Sequence, residues 1–88
     1  MKINKDFILR EMDDMNIVVA VGDAAKDFNG VINLNSTAVF MWKKLAEGCT
    51  CEELVEAILA EYDVEKSKAE ADASNFISAL KKENIIDE

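Results

Sequence analysis

The chain has 88 residues, half of them hydrophobic and 32% charged, with three glycines, no proline and no histidine. That length supports a single hydrophobic core but not a deep catalytic cavity besides, and the missing histidine removes the commonest general base and metal ligand. Ten basic residues against eighteen acidic ones give a formal net charge of −8, which disfavours nucleic acid as a partner.

The first run, Phe7 to Met12, and the second, Asn16 to Val21, are β-prone and separated by Asp13-Asp14-Met15, which predicts a hairpin turned by the two aspartates. The connector Asp23 to Asp27 leads to a third strand ending at Leu34, in which Phe28, Ile32 and Leu34 alternate with Asn29, Val31 and Asn33. Asn29-Gly30 either forms a turn or bulges that strand at its start. Three short strands cannot close a barrel, so they predict an antiparallel sheet with a free edge and one face covered by helices.

Helical spacing takes over at Asn35. Ala38, Met41, Trp42 and Leu45 form the apolar stripe of a first helix, Ser36 to Glu47, with Asn35 as its cap, Thr37 read as part of that cap, and Gly48 as its stop. Thr50-x-x-Glu53 is a capping box that opens a second helix to about Tyr62, with Leu54, Val55, Ile58, Leu59 and Tyr62 inward. A third helix, Lys66 to Lys82, turns Ala69, Ala73, Phe76, Ile77 and Leu80 inward and spans about 25 Å. Ile85 and Ile86 either tuck under the core or lie against the sheet. The order βββααα, with the last two helices at a tight turn, predicts an α+β winged helix-turn-helix in one domain, residues 1–88, with the sheet placed first.

Charge is uneven along this order. Six acidic and six basic residues balance up to Ala46, whereas twelve acidic residues face four basic ones from Glu47 onward. No stretch has the length of a membrane span, and Met1 to Asp6 does not resemble a secretory signal, so the expected location is the cytoplasm and no membrane contact is expected. Cys49 and Cys51 are the only thiols and cannot complete a zinc site, so no metal or cofactor is expected. Cys51 at the first turn of a helix would have an acidified thiol in a redox reading; the simpler reading makes both cysteines small hydrophobes.

The ordered set Phe28-x-Gly30-x-Ile32-x-Leu34-Asn35-x-Thr37-Ala38-x-x-x-Trp42, Gly48-x-Thr50-x-x-Glu53-Leu54, Tyr62-Asp63-Val64, Asp72 and Phe76-Ile77-x-x-Leu80 resembles the PqqD family from about Phe7 to Ile86. These are the peptide chaperones of pyrroloquinoline quinone biosynthesis, also called precursor-peptide recognition elements. The resemblance implies a winged fold that does no chemistry. It would bind the leader segment of a ribosomally made precursor peptide and deliver it to a modifying enzyme, often a radical S-adenosylmethionine enzyme. Asn84 departs from the pattern, since relatives often carry glycine there.

A free strand edge offers unpaired N–H and C=O groups to an extended peptide, and the third helix can wall the other side. The expected peptide-binding residues are Val31, Ile32, Asn33 and Leu34 on the strand and Asp72, Phe76 and Ala79 on the helix, although Ile32, Leu34 and Phe76 also fit a plain core role. Such an edge also permits a homodimer by strand pairing. The alternative reading is a winged-helix DNA-binding regulator, which the fold permits but the acids of the third helix oppose.

Overall fold

The computed structural model describes residues 2–27 and 30–87. Asp13 and Asp14 turn the chain between β2 (Phe7–Glu11) and β3 (Asn16–Ala20), where the Met12 N–H donates to the Met15 carbonyl at 2.8 Å. A third strand, β4 (Val31–Leu34), pairs antiparallel with β3, so the sheet order is β2-β3-β4 and β4 is an edge. Its register places Val18 opposite Ile32 and Val19 opposite Val31. The core face carries Phe7, Val18 and Leu34, all buried, while Ile8 and Val31 stand exposed on the other face. Phe28 and Asn29, expected at the start of this strand, lie outside the described residues.

The helices follow their start signals. The Asn35 side chain accepts from the Ala38 N–H at 2.8 Å and opens α2 (Ser36–Glu47). The capping box opens α3 (Cys51–Glu61): the Thr50 hydroxyl accepts from the Glu53 N–H at 3.1 Å, and the Glu53 carboxylate accepts from the Thr50 N–H at 2.8 Å. α4 (Lys66–Lys82) buries Ala69, Ala73, Ile77 and Leu80. Leu45, Leu54, Ile58, Ile85 and Val18 are the largest fully buried side chains of the core. Leu59, Tyr62 and Phe76, expected inward, are only half-buried and rim that core.

Three short elements add to the predicted order. β1 (Lys2–Ile3) pairs antiparallel with β5 (Ile86–Asp87) in a separate two-stranded sheet, and a one-turn helix, α1 (Ala24–Asp27), fills the connector. Two-residue strands carry no periodicity, so only the contact between chain ends reveals them. The exit from α4 explains how the ends meet. Asn84 takes φ +59°, its N–H donates to the Lys81 carbonyl at 3.0 Å, and the Ile85 N–H donates to the Leu80 carbonyl at 2.8 Å. Those two bonds are a Schellman motif with asparagine in the left-handed position that glycine usually holds. The turn buries Ile85 completely and sets Ile86 opposite Ile3, so the two isoleucines lie under the core and not on the main sheet.

Equilibrium urea unfolding should separate these contributions. Thr50→Ala is expected to cost about 1 kcal/mol through the lost cap, and Ile85→Ala about 2–5 kcal/mol through the cavity it leaves. Asn84→Gly should leave stability unchanged or raise it by a few tenths of a kcal/mol, whereas Asn84→Val should lower it by about 1–2 kcal/mol, because a β-branched residue resists positive φ.

Candidate functional site

Which backbone groups of β4 face outward follows from the hairpin. The Val21 N–H donates to the Asp6 carbonyl at 2.7 Å, and the Met12 and Met15 backbones are bonded likewise. In an antiparallel ladder, bonded and non-bonded pairs alternate, so on β3 it is Ile17 and Val19 that bond to β2. Asn16, Val18 and Ala20 therefore turn their N–H and C=O groups towards β4, where Val18 meets Ile32 and Asn16 meets Leu34. By the same alternation Val31 and Asn33 both direct their N–H and C=O away from the sheet. The open edge thus offers two donors and two acceptors.

Beside that edge lies a groove of about 410 Å³, walled by Ile32 and Leu34 from β4 and by Phe76, Ala79 and Leu80 from α4, with Ala38 of α2 at its base. Lys82 and Glu83 mark one end. Past Phe76 and Asn35 it continues into an opening of about 520 Å³ bordered by Met41, Tyr62, Asp72 and Asn75. Phe40 braces Tyr62 in an edge-to-face contact with ring centroids 5.5 Å apart.

Five of the seven residues singled out from sequence, Ile32, Asn33, Leu34, Phe76 and Ala79, line one groove. Val31 does not line it. Half exposed on the opposite face, it contributes to the edge through its main chain. Asp72 borders the adjoining opening, where its carboxylate lies 3.5 Å from the Lys68 ammonium. With lysine four residues before the acid, the pair has the weaker of the two orientations, and Lys68 is exposed while Asp72 is partly so, so it holds Asp72 by only a few tenths of a kcal/mol. Thr37, expected to cap, instead borders the opening, and the cap is Asn35's alone. Tyr62, Asn75 and Lys82 were not anticipated. Helical spacing from Asp72, on to Asn75 and Phe76 and then to Ala79 and Lys82, would have traced that side of α4.

The rest of the surface offers little chemistry. No group of three potential metal ligands occurs among the described residues, and no helix among them is long and apolar enough to cross a membrane. Burial, and then the Glu53 carboxylate, push the Cys49 thiol above its usual range, the reverse of what a reactive thiolate needs. Duplex recognition gains no support from α4, which carries Glu70 and Asp72 among its lysines.

Over residues 7–86 the chain matches the family described as Coenzyme PQQ synthesis protein D (PqqD). No curated protein matches it. Among solved structures, TbiB1 in complex with the TbiA(beta) leader peptide is similar at 28% sequence identity, with a TM-score of 0.78, over 97% of this chain and 93% of that one. Lasso peptide synthetase B1 complexed with the leader peptide shares the fold at 21% identity and a TM-score of 0.74, over 92% of this chain and 89% of that one.

Hydrogen exchange tests the backbone assignment directly: the amides of Ile32 and Leu34 should be protected and those of Val31 and Asn33 fast. Correspondingly, Asn33→Pro should fold with a urea midpoint near the parent's, while Ile32→Pro should lose about 3 kcal/mol or more.

Proposed function

Because the chain belongs to the PqqD family, we propose that it is a non-catalytic adaptor that takes the leader segment of a ribosomally made precursor peptide as an added strand beside β4. It then presents that peptide to a modifying enzyme, a radical S-adenosylmethionine enzyme being the partner the family resemblance implies. The observation that carries this reading is the juxtaposition of the open Val31–Asn33 edge with the Phe76–Ala79 groove. The likeness to TbiB1, solved with a leader peptide, supports it. We place the exchange in the cytoplasm, where ribosomes release the precursor.

The leader would alternate its side chains between two surfaces. Those on the core side enter the groove over Ile32, Phe76 and Ala79. Those on the other side lie next to Val31, at the end of the cross-strand row Ile8, Val19, Val31, which an apolar leader residue would extend. Magnitudes divide the work between backbone and side chains. Four main-chain hydrogen bonds at about 1 kcal/mol net each supply about 4 kcal/mol, while micromolar binding needs about 8 kcal/mol. The groove therefore has to provide the remainder and, with it, the choice of leader. Self-pairing of two β4 edges would compete with the leader at high protein concentration.

Calorimetry with the leader of the precursor encoded nearest the gene tests this reading. Asn33→Pro should weaken binding at least about tenfold by removing an edge donor, and Asn33→Ala by no more than about threefold. Unchanged affinity in a folded Asn33→Pro chain would rule out strand addition. Asp72→Lys should weaken a lysine- or arginine-bearing leader more at low salt than at high salt.

A further inference from the structure

Two flanks of α4 border open grooves, about 150° apart at 100° per residue. One, through Asp72, Phe76 and Ala79, borders the β4 groove. The other borders a separate groove of about 710 Å³ between α3 and α4, floored by Val55 and Leu59 and rimmed by Glu52, Glu56 and Glu70, with Lys66 the base among them. None of the three glutamates forms an ion pair among the described residues. From Glu52 to Leu59 the groove follows α3 for about 10 Å, the length of two turns of a partner helix.

We propose that this groove docks a cationic amphipathic helix of a protein partner, an apolar side chain seating between Val55 and Leu59 and Lys or Arg side chains meeting Glu52, Glu56 and Glu70. The charge selects this occupant from the others an apolar groove could take. A second copy of the chain would bring the same acidic rim against itself, and a phosphate backbone or an anionic lipid surface would be repelled, in a half of the chain where twelve acids face four bases. The site takes its purpose from the leader-delivery reading: with the leader on one flank of α4 and the enzyme on the other, both are held at once.

The probe is a short helical peptide of leucine and lysine arranged amphipathically, with a scrambled peptide of the same composition as control, added to the full isotope-labelled chain. Chemical-shift changes should concentrate at Val55, Leu59 and Glu70 and leave Val31 to Leu34 unmoved. The scrambled peptide should bind much more weakly. Glu56→Lys/Glu70→Lys should reduce affinity about tenfold at low salt and less at high salt, with far-UV circular dichroism unchanged. If that variant does not fold, Glu56→Gln/Glu70→Gln should still give a reduction of about threefold. Shifts centred on β4, equal binding of the scrambled peptide, or folded variants that bind like the parent would overturn the proposal. Asn33→Pro separates the two sites: it should lose the leader and keep the cationic helix. A parent chain that binds the helix but no leader would refute delivery and leave this groove standing.

Discussion

The pairing of Val18 with Ile32 sets both what the sheet buries and what it leaves open. A strand has a period of two in its side chains and in the direction of its backbone groups, so one choice of register fixes both. With Ile32 bonded to β3, its side chain and that of Leu34 turn to the helices, and the backbones of Val31 and Asn33 are left facing solvent. A slip by one residue would put Val31 and Asn33 on the core and expose Ile32 and Leu34. The burial of Val18 and Leu34 guards against that slip, so core packing maintains the open edge. The residues that form the open edge are therefore not the ones whose side chains hold the sheet together.

The helices answer a second constraint. α2 starts one residue after β4 ends, and the Asn35 cap permits no slack at that join. α4 must then lie across the core at a distance that seats Ala69 and Ala73 without closing on β4. These alanines let α4 settle closely while the bulk of Phe76, only half-buried, stands at the mouth of the groove. The Schellman turn at Asn84 completes the arrangement by sending Ile85 back under the core, so the far end of α4 is anchored by packing as well as by its own ladder.

Much of this was legible in the sequence because it rests on local rules. The Thr50–Glu53 box, the Asn35 cap, the stripe ending in Leu45 and the alternation of Ile32 and Leu34 each state their element within a few residues. Groove residues on α4 were partly legible for the same reason, since Asp72, Phe76 and Ala79 share one side of a helix. Non-local facts were not. That Val31 and Asn33 both face outward depends on the Asp6–Val21 and Met12–Met15 bonds two strands away. The β1–β5 pair joins opposite ends of the chain. Asp72's tie to Lys68 depends on side-chain placement that spacing alone permits but does not require.

Strand addition is by itself nearly blind to sequence, because every peptide carries the same backbone. An adaptor that relied on the β4 edge alone would capture any extended segment, including a second β4. Discrimination has to come from terms that differ between peptides: the fit of alternate side chains over Phe76 and Ala79, and charge at the groove ends, where Lys82 and Glu83 stand at one side and the loosely held Asp72 at the other. Exposed charges contribute little equilibrium affinity, yet a net charge of −8 steers cationic partners on approach and slows anionic ones. Under the proposed function, selection would accordingly divide into a charge-dependent encounter, sensitive to salt, and a groove-dependent residence, which is not. The half-buried ring of Phe76 is shared by the groove and the opening beyond it, so under the proposed strand addition it would join the two parts of a leader's path.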